Sequence, residues 1–205
     1  MSYQFDFSRV LQEFPLFLQG AWLTIQLSLV ATAMGFAIGS LCAIGRRSGV
    51  KPVSLACGLY VELIRNTPLL VQIFLVYFGL SSIGWKVPAM YAAVIALVIN
   101  VGAYTSEIMR AGMDSIHRGQ LEAAECLALN RAQVYWHVIL RPAMERVYPA
   151  LTSQFILLML GSSITSQISV EELTAVANRV QSDTYRSFET YIVVAAAYML
   201  SLIHI

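Results

Sequence analysis

The feature that most constrains this chain is a series of long apolar runs. The first, Gly20–Gly45, holds no charged residue, and a helix needs about 20 apolar residues to cross roughly 30 Å of hydrocarbon. Mainly apolar runs follow at Val53–Gly79, Pro88–Gly112, Val147–Ile168 and Phe188–Ile205. The hydrocarbon core holds no water that could hydrogen-bond the backbone N–H and C=O groups. A span that satisfies these groups within itself is a helix. The sequence therefore predicts an all-α integral membrane protein with about five transmembrane helices.

Composition supports this class and excludes others. The chain is 58% hydrophobic and 12% charged, with a mean hydropathy of +0.66, whereas soluble domains are about a quarter charged. A net charge of +1 argues against a nucleic-acid partner, which needs a basic patch. Cys42, Cys57 and Cys126 are far apart and the histidines are scattered, so neither a metal site, a cofactor nor a disulfide framework is predicted.

The distribution of cations predicts the topology. Arg46, Arg47 and Lys51 directly follow the first run, and the positive-inside rule assigns such a loop to the cytoplasm. We predict an extracytoplasmic segment over residues 1–19 and a single transmembrane domain over residues 20–205. The last run ends without a basic flank, so we also expect a truncated or altered C-terminus.

Two glycines in the first run form a G-x-x-x-G pattern, Gly35 and Gly39. Small residues at this spacing let two helices approach closely. The pattern alone is weak evidence for dimerisation, so packing within the chain is the favoured interpretation.

The second run is interrupted by charged residues and a proline. Glu62 and Arg65 are three residues apart, so on a helix they share a face and can pair. Pro68 removes a backbone donor and breaks or kinks the helix. Charges beside such a break face a polar cavity, or they only brace the break as an ion pair. Both interpretations remain open.

Polar residues also follow one face of the third run. Asn100, Tyr104 and Glu107 lie at i, i+4 and i+7, which predicts either a pore lining or a hydrogen-bonded seam between helices. Ser162 and Ser163 belong to a hydroxyl-rich end of the fourth run, suited to close packing or to a polar solute. The predicted substrate pathway comprises Glu62, Arg65, Asn100, Tyr104, Glu107, Ser162 and Ser163.

The segment 119–142 lies between apolar runs but is too polar to cross a membrane. Glu122, Glu125 and Arg131 would all need partners in hydrocarbon. Its first half is rich in Ala, Leu and Glu, which predicts a short helix. Held at the membrane surface, such a helix docks to a soluble partner or lies among the headgroups as an amphipathic helix.

Helical spacing sorts the residues of this segment into faces. Ala123, Leu127 and Asn130 are predicted to share one face, and Ala124 and Ala128 another. The small residues let another surface approach closely, and the leucine offers an apolar contact.

Three sequence motifs of this chain resemble those of a known family. G-Q-x-E-A-A, then L-A-L and V-I-L-R-P, resembles the "EAA" loop of permease subunits of ABC importers. E-L-I-R-N-T-P-L-L-V-Q and A-Y-T-S-E-I-M-R-A-G are similar to its polar amino-acid branch. The family usually has Gly in place of Ala128 and Leu-Pro in place of Leu140-Arg141-Pro142. It often has Lys-Asp in place of Leu160-Gly161.

The resemblance implies a binding-protein-dependent inner membrane component with the type I importer permease fold, taking up polar amino acids. It implies that the polar segment is a coupling helix docked in a groove of a cytoplasmic ABC ATPase. The partners would be that ATPase, a second permease, identical or homologous, and an extracytoplasmic solute-binding protein, in a bacterial cell membrane. The implied ATPase-coupling residues are Gly119, Glu122, Ala123, Ala124, Leu127, Ala128 and Arg131.

The chain has no catalytic motif of its own. It lacks the phosphate-cradling pattern G-x-x-x-x-G-K-[ST], so an ATPase would be a separate chain and this protein is not expected to be an enzyme. One alternative is a passive channel or secondary transporter for small polar solutes, whose mark would be carboxylates paired between inverted halves. Another is a membrane-embedded scaffold.

Overall fold

The computed structural model describes residues 4–203, and these fold into helices with no strand among them. In chain order the helices are α1 Ser8–Gln12, α2 Phe14–Arg46, α3 Lys51–Arg65, α4 Leu69–Ser82, α5 Ala89–Asp114, α6 Arg118–Cys126, α7 Arg131–Gln133, α8 Arg141–Gly161, α9 Leu173–Thr184 and α10 Ser187–Ile203. A π-helix, Val134–Leu140, joins α7 to α8, and a 3₁₀ helix, Ser162–Ile168, follows α8. The predicted all-α class is confirmed. Residues 1–3 of the predicted N-terminal segment and residues 204–205 of the predicted altered C-terminus lie outside the described residues.

The predicted spans are all helical, although they differ in length. Within residues 4–203, three helices are long and apolar enough to cross a membrane, namely α2, α5 and the continuous helix Arg131–Ile168. Helices α3 and α4 meet the criterion only as a pair, and the number is four if this bent pair is counted as one broken span. The fifth predicted span, α10, is a shorter apolar helix of 17 residues.

The predicted break in the second run lies between α3 and α4. Pro68 caps the start of α4 with an extended backbone, φ −63° and ψ 142°, because its ring fixes φ and it has no N–H to donate. The end of α3 is closed by Asn66, whose side-chain amide donates to the Glu62 carbonyl at 2.8 Å. The break is therefore confirmed.

The fourth span begins earlier than expected. We predicted a start at Val147, but one continuous helix runs from Arg131, because the intervening sequence V-Y-W-H-V-I-L is mostly apolar and compatible with a helix. This stretch is wound as a π-helix directly before Pro142. A proline ring clashes with the carbonyl four residues back, and a wider turn relieves such a clash. The second half of segment 119–142 is thus part of a long helix.

The described residues form two compact units, and the first comprises the described parts of residues 1–32 and 155–205 together with Pro68–Val98. One apolar core of this unit consists of Leu27, Ile73, Ala92, Ala93, Ala96, Ile168 and Val170. A second core consists of Val10, Phe17, Leu173, Ala177, Val180 and Val194. In this unit, α2 begins at Phe14, six residues before the predicted span.

A buried carboxylate organises the polar part of the first unit. Glu172 is fully buried and caps α9, accepting bonds from the backbone N–H groups of Thr174 and Ala175 at 2.9 Å each. The Tyr198 hydroxyl also donates to it at 3.3 Å. Burial nevertheless raises the pKa of the Glu172 carboxyl, since desolvation penalises its charged form. Because Glu172 is the N-cap, α9 begins at Leu173 and ends at Thr184.

The second unit comprises Ala33–Thr67 and Ile99–Gln154. Its apolar core consists of Ala43, Met109, Met113, Ile116, Ala143 and Val147. Here α2 packs on α5 through glycines: a Cβ on Gly35 would lie 2.7 Å from the Val101 side chain, and one on Gly39 would lie 2.6 Å from the Gly102 carbonyl. The G-x-x-x-G pattern therefore serves packing within the chain, as predicted.

Candidate functional site

The predicted short helix of segment 119–142 is present as α6. Its first turn is closed by His117, whose Nδ1 accepts the N–H of Gly119 at 3.1 Å. Such a cap satisfies one of the donors that a helix start leaves without a partner. The helix ends at Cys126, with Leu127 as its C-cap.

The C-terminus of α6 explains the residue at position 128. The Leu129 N–H donates to the Ala124 carbonyl at 3.1 Å, and the Ala128 N–H donates to the Glu125 carbonyl at 2.9 Å. This pair of bonds defines a Schellman motif, whose C′ residue adopts a left-handed conformation. Ala128 does so, with φ +55°. Glycine adopts this conformation without the steric cost that a Cβ imposes, which is the physical reason for a glycine at this position in the family it resembles.

The predicted faces of the segment are confirmed only in part. The Leu127 N–H donates to the Ala123 carbonyl at 3.1 Å, so these two residues stay one helical turn apart. The chain turns at Ala128, which therefore does not continue a helical face with Ala124. Asn130 instead starts the next helix, where it forms a capping box with Gln133, both bonds being 2.9 Å.

The two alanines of the E-A-A string differ in their exposure to solvent. Ala124 is 3% exposed and faces the rest of its own unit, where α6 packs on the π-helix Val134–Leu140. Ala123 and Glu122 are exposed, and Leu127 is 73% exposed. Gly119 and Arg131 are exposed at the two ends of the same stretch. A partner therefore has access to Ala123, whereas Ala124 is small because it packs inside the chain.

A cavity adjoins the end of this segment. It measures about 740 Å³, and its lining residues are Asn130, Ala132, Gln133, Trp136, His137, Leu140, Arg141, Met144 and Glu145. Trp136 is exposed on its wall. The surface next to α6 is therefore concave and partly apolar, which suits contact with another protein.

The polar residues of the predicted pathway form a different kind of site. Glu107 on α5 lies 2.6 Å from the Arg46 guanidinium of α2 and also forms an ion pair with Arg110. Arg65 on α3 lies 3.8 Å from the same carboxylate. We call Glu107, Arg46, Arg65 and Arg110 the Glu107 cluster. Its central carboxylate is 23% exposed and has cations around it from three helices.

Arg65 therefore does not pair with Glu62, contrary to the prediction. Its guanidinium lies 5.6 Å from the centre of the Tyr104 ring and close to Glu107, positions in which a ring face and a carboxylate both stabilise the cation. Glu62 instead accepts from the Asn66 amide at 3.2 Å. The long arginine side chain reaches a better partner on another helix than the one available on its own.

The remaining pathway residues are only partly brought together. Asn100, Tyr104 and Glu107 share a face of α5, and Asn100 is buried. The hydroxyl of Ser162 donates to the Met159 carbonyl at 2.8 Å, and that of Ser163 donates to the Leu160 carbonyl at 2.6 Å. These two hydroxyl protons satisfy the backbone of their own helix and are not free for a solute.

Comparison with known proteins decides the family. The family model described as binding-protein-dependent transport system inner membrane component matches residues 35–205. The chain belongs to this family. The permease is thus a multi-pass inner membrane subunit of an ABC transporter, and ATP hydrolysis takes place on a separate chain. Family membership excludes the passive channel, the secondary transporter and the scaffold as interpretations.

Curated relatives resemble the permease over almost its full length. It is 35% identical over 193 residues to the probable glutamine ABC transporter permease protein GlnM of Bacillus subtilis, covering 94% of this chain and 89% of the relative. It is 32% identical over 205 residues to the octopine transport system permease protein OccM of Rhizobium radiobacter, covering 96% and 84%.

Solved structures agree with the fold. A chain in the crystal structure of an amino acid ABC transporter with histidines is 40% identical, with a TM-score of 0.93 over 98% of the permease and 94% of that chain. An inward-facing MetNI methionine ABC transporter, 16% identical with a TM-score of 0.73, shares the fold. Members of the family act together with an ATPase and a binding protein in general.

Sequence reasoning missed two residues that the structure places at the permease's charged site. Arg110 lies three residues after Glu107 on α5, so the i, i+3 spacing that was applied to Glu62 and Arg65 would have found it. Arg46 lies 61 residues from Glu107 in sequence, and no local pattern links the two. From the sequence alone, Arg46 indicates only the topology of the loop that it begins.

Proposed function

We propose that the permease imports polar amino acids, that a cytoplasmic ABC ATPase drives the import, and that α6 is the helix that couples the two. The substrate class is supported by relatives named for the transport of glutamine, octopine and arginine. The observation that carries the coupling role is α6 itself, a short helix closed at both ends that keeps part of its surface exposed.

The connections of α6 support a mechanical role. The helix packs on the π-helix Val134–Leu140, which continues without interruption into α8. The His117 cap and the Schellman motif at Ala128 restrain its two ends. A capped helix moves as a rigid body, so a displacement imposed on α6 is passed to the π-helix and along α8.

The contact surface for the ATPase consists of residues that α6 leaves exposed. Glu122 and Ala123 on the helix and Leu127 at its end offer a charge, a small side chain and an apolar contact. Gly119 and Arg131 border this surface. Ala124 and Ala128 support it indirectly, by packing within the chain and by closing the helix.

The Glu107 cluster is the favoured location for the substrate pathway. A zwitterionic amino acid needs both signs of charge nearby, and Glu107 with Arg65 provides them beside the Tyr104 ring. Asn100 continues the polar face of α5, and Glu62 lies in the last turn of α3, before the break at Pro68. Ser162 and Ser163 take part less directly, since their hydroxyl protons are bonded to backbone carbonyls.

The permease needs a further partner besides the ATPase and the binding protein that are general in the family. A second permease, identical or homologous, completes the membrane part, because the few spanning helices of one chain enclose little space for a polar solute. The loop Arg46–Lys51 and the segment 119–142 face the cytoplasm, where their cations are favoured, and the solute-binding protein docks on the opposite side.

The coupling role is tested by Ala123→Arg. The exposed position leaves the permease free to fold, but the bulky cation obstructs a groove that accepts a small residue. Overpacking costs about 1–3 kcal/mol, so ATPase affinity should fall about tenfold or more, at ~1.4 kcal/mol per factor of ten. The measurements are ATPase co-purification with the permease and ATP-dependent uptake in membrane vesicles supplied with the binding protein.

Ser182→Arg, at an exposed position on α9, is the matched control because it introduces the same side chain away from α6. It should retain the ATPase in co-purification. If Ala123→Arg behaves like this control, α6 does not couple the permease to the ATPase.

The substrate class is tested separately by competition. Vesicles that import a labelled polar amino acid should lose the signal when other unlabelled polar amino acids are added, and should keep it with unlabelled apolar ones. Vesicles that import a labelled sugar or peptide in the presence of ATP, but none of the labelled polar amino acids, would contradict the amino-acid assignment and leave the coupling role intact.

A further inference from the structure

A second cavity lies in the charged half of the second unit, at the turn between α2 and α3. It measures about 790 Å³, and its lining residues are Arg46, Ser48, Gly49, Lys51, Ser54, Leu55, Gly58, Leu59, Glu62 and Arg110. The apolar run Gly20–Gly45 ends directly before it. The cavity therefore opens where a membrane span meets the lipid headgroup region.

The charge of this cavity is positive. Around it and the adjoining Glu107 cluster, five cationic side chains stand against three carboxylates, which leaves two positive charges in excess. The cations are Arg46, Arg47, Lys51, Arg65 and Arg110, and the carboxylates are Glu62, Glu107 and Asp114. Such an excess attracts an anion to the cavity mouth.

Lys51 is the cation that remains available. Arg46, Arg47 and Arg110 each form an ion pair with Glu107 or Asp114. Lys51 is exposed, and among residues 4–203 no acidic side chain lies within ion-pair distance of it. Its ammonium group can therefore bind an external anion without giving up an internal partner.

The start of α3 adds to this attraction. Lys51 is the first residue of a helix of 15 residues with proline in its first turn. A helix N-terminus carries a partial positive charge and free backbone N–H groups, both of which favour an anion. The hydroxyls of Ser48 and Ser54 contribute little, because each already donates to a backbone carbonyl, of Gly45 at 2.7 Å and of Arg46 at 2.9 Å.

The other wall of the cavity is apolar and exposed. Leu55 is 74% exposed and Leu59 is 58% exposed, one helical turn apart on α3. Between them on the wall, Gly58 leaves open space, with no atom within 4 Å of a Cβ built there. A cationic rim that continues into an apolar strip matches a molecule with an anionic head and an apolar tail.

We infer that this cavity binds one anionic phospholipid of the surrounding membrane, with its phosphate at Lys51 and an acyl chain along Leu55 and Leu59. Basic pockets between transmembrane helices at the membrane surface bind anionic headgroups in this way. The Glu62 carboxylate at the far side of the cavity disfavours a second anion there. The cavity shares Arg46, Glu62 and Arg110 with the proposed pathway region, but the lipid would contact Lys51, Leu55 and Leu59, which have no part in the proposed pathway or in the coupling role.

The test compares ligands that share only one of the two features. The purified permease in detergent is titrated with phosphatidylglycerol, with phosphatidylcholine of the same acyl chains and with glycerol 3-phosphate, and bound ligand is counted by native mass spectrometry. We expect phosphatidylglycerol to bind about tenfold more tightly than phosphatidylcholine, and glycerol 3-phosphate to bind more weakly than either.

Two substitutions assign the binding to the cavity. Lys51→Glu should weaken phosphatidylglycerol binding about tenfold and leave phosphatidylcholine unchanged, because a charge is reversed at the phosphate. Leu55→Asn should weaken both lipids equally. Lys86→Glu reverses the other lysine of the chain, which is also exposed, and should change neither. Thermal unfolding of each variant confirms that it is folded.

Several results would overturn the inference. Equal affinity for the two lipids would show that no anionic site exists, and equal losses in the two lysine variants would indicate an unspecific charge effect. Glycerol 3-phosphate binding as tightly as the lipid would make this a site for soluble phosphate. If the ATPase or a second permease displaces the lipid, and Lys51→Glu weakens that complex, the cavity is a protein interface.

Discussion

Helix α6 and the Glu107 cluster belong to the same unit, yet they are built in opposite ways. The bounds of α6 are set by neighbours in sequence: His117 caps one end, and bonds to Ala124 and Glu125 close the other. The Glu107 cluster is assembled from α2, α3 and α5, with partners up to 61 residues apart. The bounds of a docking helix therefore depend on neighbouring residues in the sequence, whereas a partly buried charged site depends on how the helices pack.

The largest effect that would test this contrast is expected from Ala124→Arg. Ala124 is 3% exposed, so a large cation there overpacks the site and buries an unpaired charge, which should lower the free energy of unfolding by about 3 kcal/mol. Thermal unfolding of the purified permease measures this. Ala123→Arg, one residue away but exposed, should stay within about 0.5 kcal/mol. Equal destabilisation by the two variants would mean that α6 is not packed as described.

The second effect concerns the centre of the Glu107 cluster. Glu107→Ala leaves Arg46, Arg65 and Arg110 without their shared counter-charge. A fully buried pair broken in this way costs about 3–5 kcal/mol, and the 23% exposure of Glu107 reduces our expectation to about 2 kcal/mol.

Asp114→Ala is the control for this variant. Asp114 pairs with Arg47 and Arg110, but its side chain is 46% exposed, so its loss should cost at most about 1 kcal/mol. A double variant of Glu107→Ala with Arg110→Ala should recover part of the stability, which a double-mutant cycle measures. Identical effects of Glu107→Ala and Asp114→Ala would show that the cluster is solvated.

The third effect tests the helix packing on which the cluster depends. Gly39→Ala would place a Cβ 2.6 Å from the Gly102 carbonyl oxygen and from the Thr105 Cβ, forcing α2 and α5 apart at a cost of about 1–2 kcal/mol. Gly79→Ala, with no atom within 4 Å, should instead stabilise α4 by up to ~1 kcal/mol. In chemical unfolding, we expect Gly39→Ala to lower the free energy of unfolding and Gly79→Ala to raise it. If both variants raised it, α2 and α5 would not approach closely at Gly39.

The smallest effect is expected at the end of α6, where Ala128→Gly should be stabilising. The left-handed conformation at φ +55° costs an alanine about 1 kcal/mol, and glycine avoids this cost. Part of the resulting gain is lost because glycine makes the unfolded chain more flexible. A net increase of about 0.5 kcal/mol in the free energy of unfolding should result. A decrease would show that the strain at Ala128 is relieved in some other way.

Local patterns predicted much of the fold. The break before α4 follows from Pro68, and the packing role of Gly35 and Gly39 follows from their small size and spacing. The predicted start of the fourth span at Val147 is too late, since the helix begins at Arg131. The charged residue in its first turn is not typical of a span, although the stretch that follows it is apolar. The docking role of α6 and the pathway role of the Glu107 cluster remain predictions.

The sequence by itself determined the membrane class, the helices, the family and the position of α6, because each is encoded in runs of neighbouring residues. The tertiary structure decided which alanine of α6 is buried and which is exposed, since that depends on the π-helix packed against it. It also decided that Arg65 meets Glu107 and not Glu62. An arginine side chain extends across the gap between helices, so its partner is chosen by packing and not by spacing along the chain.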